Sequence, residues 1–189
     1  MKKILFAVLL LCPSFAAAEP ASLANRVNIT LNLSQEDTRG SLEKMIKDNS
    51  KDQDASAGLS VGYNFIDMLE VGFGLNILAA YGYKDTDNHD VTYYNAGIYA
   101  KILAPQFQLS SDTGLSIFGK IGAGQYFYDN TWKTDHTTHT TSYDHSGMFV
   151  GAGADINFPN WIIGLEYQLH RVDYETISQN IGLNAGYRF

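Results

Sequence analysis

A single cysteine stands in the 189 residues, Cys12, near the amino terminus. One thiol excludes an internal disulfide framework and a closed cysteine-ligated metal centre. Only four prolines are present, which excludes a polyproline or collagen-like chain. No apolar run reaches the roughly 20 residues that a membrane-spanning helix needs. Basic residues are scarce: 13 Lys and Arg against 20 Asp and Glu give a formal net charge of −7. That balance argues against nucleic acid as a partner. By hydropathy alone this is an ordinary exported chain. The order of its residues indicates something else.

Met1-Lys2-Lys3 is a charged opening, Ile4 to Phe15 a short apolar segment, and Ala16-Ala17-Ala18 a small-x-small cleavage pattern. Together they predict a signal peptide over residues 1–18 and a mature chain from Glu19. Leu11 precedes Cys12 where a lipid-modification site requires a small residue. Cleavage removes Lys2, Lys3 and the cysteine, taking the formal charge from −7 to −9. The remainder, residues 19–189, is the length of one domain.

In that remainder apolar residues recur at every second position. Ile181, Leu183, Ala185, Tyr187 and Phe189 alternate with Gly182, Asn184, Gly186 and Arg188. The same period runs through Val27–Leu33, Ala55–Phe65, Leu69–Tyr81, Tyr94–Ile102, Met148–Ile156 and Trp161–Leu169, and a further strand follows the turn signal Ser111-Asp112-Thr113-Gly114. A period of two places alternate side chains on opposite faces of a β-strand. The strand from Tyr94 is expected to run past Pro105, which a bulge or unpaired position accommodates. Tyr63, Phe65, Tyr81, Trp161, Tyr187 and Phe189 lie towards strand ends, as in an interfacial aromatic girdle. Tyr126, Phe127, Tyr128 and Trp132 are expected to form the outer belt.

Polar stretches at 35–53, 84–91, 129–146 and 171–178 alternate with short turns at Ile66-Asp67-Met68, Ser111–Gly114 and Phe158-Pro159-Asn160. Long connections on one side and short ones on the other are the pattern of outer-membrane barrels. The expectation is an all-β fold: an eight-stranded antiparallel transmembrane β-barrel, an up-and-down meander. Its termini would be periplasmic and its long loops extracellular, in the outer membrane of a Gram-negative cell.

Several segments resemble the OmpA-like and OmpX/Ail-like small outer membrane barrels: Phe118-Gly-Lys-Ile-Gly-Ala-Gly124, Gly151-Ala-Gly153 with Asp155, Phe158-Pro-Asn-Trp161, Gly164-Leu-Glu-Tyr-Gln168 and the closing Gly186-Tyr-Arg-Phe189. The resemblance implies that Tyr187 and Phe189 form the signal read by the barrel assembly machinery, with periplasmic chaperones as further partners in biogenesis. The peptidoglycan-binding domain of full-length OmpA proteins is expected to be absent after Phe189, a departure from that family pattern. Such barrels often carry an arginine two residues before the Leu-Glu-Tyr unit; Ile163 stands there in this chain.

The phase of the strands assigns Glu70, Lys101, Asp155, Glu166, His170 and Arg188 to the lumen. Lys120, on a strand with apolar residues in both phases, is grouped with them. Charges in a narrow barrel require partners, and Glu70 and Glu166 with Lys101, Lys120 and Arg188 make a candidate ladder. Such a ladder is either a satisfied polar core or a switchable gate. His136, His139 and His145 in the third loop have side chains that zinc or copper accepts, but their spacing matches no closed site, and no cofactor is expected. Asp144, His145 and Ser146 supply the residue types of a hydrolytic triad, yet strand neighbours point to opposite faces. Lys44, Lys47 and Lys51 in the first loop suit the phosphates of lipopolysaccharide. The expected function is therefore non-enzymatic: envelope integrity or adhesion to a host or cell-surface ligand through the loops. The alternatives are a narrow pore for small or apolar solutes and, last, an enzyme acting on lipid A.

Overall fold

The computed structural model describes residues 22–39, 55–80, 89–134, 137–171 and 177–189. Among these are nine strands: β1 (Arg26–Arg39), β2 (Ala55–Ile66), β3 (Leu69–Ala80), β4 (His89–Leu103), β5 (Phe107–Ser110), β6 (Thr113–Thr134), β7 (Thr137–Asn157), β8 (Trp161–Arg171) and β9 (Ile177–Arg188). Eight of them close into an antiparallel up-and-down barrel. Sequential neighbours pair throughout, β4 meets β6, and β1 meets β9 from Asn28↔Arg188 to Arg39↔Ile177. The expected signal peptide lies outside the described residues.

The ninth strand, β5, continues the row of β4 along β6. Leu103 faces Phe118, the Ala104 amide donates to the Ile117 carbonyl, and Phe107 faces Leu115. The break between the two pieces contains Pro105, which has no N–H for the ladder. The strand expected to pass Pro105 is thus two strands in one row.

Alternation determines what each face meets. Along β8, residues are exposed and buried in strict turn from Trp161 to Arg171. The outward set is aliphatic and bare: Leu33 is 58 % exposed, Ile98 66 % and Leu183 63 %. A band of this kind encircles the barrel, well beyond the apolar patches that soluble monomers show to water. It therefore faces hydrocarbon. No helix among the described residues is long and apolar enough to cross a membrane, and the strands do the crossing. At the short-turn end the outer surface carries edge-to-face aromatic pairs, Tyr63–Phe65, Trp161–Tyr187 and Tyr187–Phe189, with centroids 4.9–5.0 Å apart. Near the long-loop end Tyr94 stacks on Phe127 at 4.9 Å. Tyr81 lies outside the described residues.

Two expectations are corrected. Most of the stretch 129–146 is a β-hairpin rather than a loop: β6 and β7 stay paired from Gly114↔Asn157 to Thr134↔Thr137. β-Branched threonine favours the extended chain. Cross-strand bonds hold it, Thr131 Oγ1 to Thr140 Oγ1 at 3.2 Å and Ser142 Oγ donating to Asp129 at 2.6 Å. Strands of 22 and 21 residues are far longer than the roughly 9–11 that a bilayer needs, so this hairpin projects beyond it. β1, β4 and β9 likewise take over the margins of the other three long connections. The second correction concerns the belt. Tyr126 and Tyr128 are 1 % and 5 % exposed and belong to the interior, with only Phe127 of that trio outside. Three consecutive strand residues cannot share a face.

At the short-turn end the segment Ser22–Asn25 runs as a strap before β1. The Asp67 carboxylate, in the β2–β3 turn, accepts from the Ser22 hydroxyl and from the Leu23 and Ala24 amides at 2.6–2.9 Å. Asn25 adopts φ 60°, the left-handed region that asparagine tolerates, and brings the chain into β1. Leu23 is thereby buried against Leu103 and Phe118.

Candidate functional site

The interior is polar because its wall is. Inward positions hold Asn, Ser and Gly, and their side chains meet those of neighbouring strands and of strands one further on. The six residues assigned from strand phase, Glu70, Lys101, Asp155, Glu166, His170 and Arg188, project into it, and so does Lys120. Five are 6 % exposed or less, and the two lysine side chains are 12 % exposed.

Their partners differ from the expected ladder. Lys101 and Lys120 are cross-strand neighbours on β4 and β6, an unfavourable juxtaposition of like charges. Each ammonium reaches past one strand to a carboxylate, Lys101 to β7 and Lys120 to β8. Lys101 Nζ lies 2.5 Å from Asp155 Oδ2 and 3.9 Å from the Phe118 ring centroid. Lys120 Nζ lies 3.1 Å from Glu166 Oε1 and 4.4 Å from the Tyr99 ring centroid. Among the described residues Glu70 is bonded to no lysine or arginine. It accepts from Tyr99 Oη at 2.8 Å and from Asn28 Nδ2 at 2.7 Å. Arg188 donates through Nε to Asn28 Oδ1 and through Nη2 to Asn157 Oδ1, both at 2.9 Å. The amide of Asn28 therefore joins the Glu70 carboxylate to the Arg188 guanidinium. A lone buried charge costs several kcal/mol, and these contacts supply each with a partner.

Towards the long-loop end a chain of bonds leaves Glu166. Gln168 Nε2 donates to Glu166 Oε1 at 2.6 Å, and Gln168 Oε1 lies 2.8 Å from His170 Nε2. Tyr126 Oη is 2.9 Å from His170 Nδ1, and the His170 ring stacks on Phe149 at 5.2 Å. Asn184 Nδ2 also donates to Glu166, at 3.2 Å, and receives Asn32 Nδ2 on its own oxygen at 2.6 Å.

Glycine makes room for the interior aromatics. A Cβ at Gly72 would stand 2.5 Å from both Tyr99 Oη and the Val61 carbonyl. One at Gly147 would stand 2.7 Å from the Tyr126 ring. These backbones lie against ring faces, an approach open only to a residue without a side chain. Between the Lys101 and Lys120 pairs a cavity of about 50 Å³ remains, bordered by Glu70, Tyr99, Glu166 and Asn184. That is room for a few waters. Sequence reasoning placed Asn28 and Tyr99 in the inward phase without assigning them a role; their signal is the parity they share with Glu70 and Lys101.

The other candidates separate. His139 and His145 are six positions apart on β7, about 20 Å along an extended strand, too far to share one ion. His136 lies outside the described residues. No group of three or more His, Cys, Asp or Glu able to hold a metal occurs among the described residues. Ser146 Oγ donates to Gln125 Oε1 at 2.8 Å and Gln125 Nε2 to Asp144 at 3.2 Å, a surface bridge that does not include His145.

Residues 4–189 match the family model described as outer membrane protein beta-barrel domain. Among curated proteins no sequence match is found. Solved structures of similar fold include Ail, the attachment invasion locus protein of Yersinia pestis: 20 % identity, 88 % of this chain and 99 % of that one covered, TM-score 0.57. Neisserial surface protein A is similar at 15 % identity, with 86 % and 97 % covered and a TM-score of 0.59. The amino-terminal β-barrel domain of Pseudomonas aeruginosa OprF is similar at 17 % identity, with 88 % and 98 % covered and a TM-score of 0.56. At these identities the likeness is one of fold.

Proposed function

Since the chain belongs to the outer membrane protein beta-barrel domain family, we propose that it is a non-enzymatic surface protein whose barrel is a rigid, non-conducting mount. In this reading the long loops and the β6–β7 hairpin face outward, and the termini and short turns face the periplasm. The outer surface binds membrane lipid and lipopolysaccharide. Tyr187 and Phe189, on the lipid face at the last turn, serve as the signal for barrel assembly.

One observation supports the proposal: paired side chains crowd the lumen. Lys101–Asp155, Lys120–Glu166 and the Glu70–Asn28–Arg188 linkage each reach past one strand of the wall, and beside them a cavity of about 50 Å³ remains. A crowded interior leaves the exposed ends to interact. Among the described residues the most extended of these is the projecting hairpin, rimmed by exposed Thr137, Thr138, His139 and Thr140 with Tyr143 half exposed. Contact with another cell surface through that hairpin is the role proposed for it.

Two measurements test this reading. Proteoliposomes carrying the folded barrel should swell in small sugars no faster than empty liposomes; faster swelling graded by solute size overturns the closed mount. Cells expressing a variant with residues 131–141 replaced by a two-residue turn should lose adhesion to cultured host cells at unchanged surface level. Unchanged adhesion overturns the hairpin's role.

A further inference from the structure

The short-turn end contains a second cavity, of about 150 Å³, between the strap, the β5–β6 turn and the β7–β8 turn. By the same measure about 10–15 Å³ holds one water, so a small ion fits. Arg26, Arg188, Gln106, Gln108 and Asp112 line it. Arg26 donates Nη1 to the Pro159 carbonyl at 3.0 Å, and Arg188 bonds the amides of Asn28 and Asn157. Two guanidinium groups therefore border one cavity, and among the described residues their hydrogen bonds end on neutral oxygens. Two further groups are buried there with no partner among the described residues, the donor Gln106 Nε2 and the acceptor Gln108 Oε1. A buried donor or acceptor left unmet is unfavourable.

We propose that this cavity is a binding site for a protonated oxyanion, hydrogenphosphate as the free ion or as a phosphomonoester headgroup. The guanidinium groups and Gln106 Nε2 donate to its oxygens, and its P–OH donates to Gln108 Oε1. The last contact sets the class. Sulfate has the same shape and charge but no proton to give at neutral pH, and acetate is neither tetrahedral nor a donor. Asp112, on the exposed β5–β6 turn, is tied to Ser111 Oγ at 3.3 Å and adds a second acceptor at the rim. The site is independent of what the long loops bind, so it stands or falls separately from the surface-contact role.

The test is a titration of the folded full-length barrel in micelles at constant ionic strength and pH 7, following the Arg26 and Arg188 Nε–H signals and the Gly114 amide by NMR. Inorganic phosphate should give saturable shifts at millimolar concentration. Sulfate should bind at least fivefold more weakly, and Arg26→Gln should weaken phosphate about tenfold. Gln108→Ala should bring phosphate and sulfate to equal affinity. A short-chain phosphatidic acid set against inorganic phosphate separates the two sources: tighter binding assigns a lipid headgroup, equal or weaker binding the free ion. Linear shifts matching those of chloride overturn the site. Equal affinity for sulfate in the wild type, or unchanged binding in a folded Arg26→Gln protein, overturns it as well. Gln108→Ala, in the short β5, keeps the question answerable if Arg26→Gln does not fold.

Discussion

Glu166 determines the tautomer of His170 without touching it. A carboxylate only accepts, so the Gln168 amide must turn its nitrogen towards Glu166 and its oxygen towards His170. That oxygen, at 2.8 Å closer to Nε2 than the competing Asn180 amide nitrogen at 3.3 Å, favours a hydrogen on Nε2, which leaves Nδ1 to accept from the Tyr126 hydroxyl. The wild-type barrel should therefore show the Nε2–H form of His170 in ¹⁵N NMR. Glu166→Gln removes the constraint on the amide and should yield a mixture of tautomers. A single unchanged tautomer in a folded Glu166→Gln protein contradicts the relay.

The Lys120–Glu166 pair gives a stability prediction. Removing one partner leaves the other buried and alone, at a cost of about 3–5 kcal/mol. Replacing both with apolar groups of similar size removes the uncompensated charge. Glu166→Ala should lower the urea midpoint of the folded barrel in micelles strongly, and the double variant Lys120→Met with Glu166→Leu should recover most of the loss. Equal midpoints for single and double variants contradict the pairing.

Asp67 supplies a pH dependence. The Ser22 hydroxyl foremost, with the Ala24 and Leu23 amides, holds its carboxyl below the ordinary value of 3.8 against an opposing effect of burial. A lowered folded value means that the strap's anchorage is complete above the ordinary value and is lost as pH falls through the lower folded one. Hydrogen exchange at the Leu23 and Ala24 amides should be slow at pH 6 and lose its protection below about pH 4. Asp67→Ala should remove the protection at every pH. Equal protection at pH 6 in Asp67→Ala and the wild type contradicts the clamp.

Tyr187 and Phe189 pack edge to face 4.9 Å apart on the lipid side, beside Trp161. If they are an assembly signal, changing Phe189 to Ala should cut outer-membrane levels several-fold while refolding into detergent stays near wild type. Normal outer-membrane levels remove the signal's role; equal losses in both assays make it a matter of packing.

Much of the fold was legible in the sequence because lipid imposes the period. Leu165, Tyr167 and Leu169 must face one way, which sends Glu166, Gln168 and His170 the other. Parity thus gave the contents of the lumen but not their pairing. Whether Glu70 meets Lys101, its cross-strand neighbour on β4, or Asn28 from β1 depends on barrel diameter and stagger, which no single strand encodes. The third connection misled for a related reason. Threonine and histidine at 136–141 look like loop by polarity, whereas the ladder Asn130↔Thr141 to Thr134↔Thr137 needs no apolar face once the strands have left the bilayer. Tyr126 was misplaced by reading an aromatic as a belt residue before reading its phase.

The seam between β1 and β9 has a consequence for how the molecule forms. Every other pairing of the ring joins strands close together in sequence, whereas Asn28 and Arg188, partners across this seam, are 160 residues apart. Neighbouring hairpins can zip up one after another, but the final closure waits for the whole chain and bears the loop entropy of nearly all of it. Until then β1 and β9 are two bare edges of an apolar sheet, competent to pair with any other open strand. The slowest step of assembly is expected to be this single meeting of first and last, and the time before it is when the chain is most exposed to aggregation.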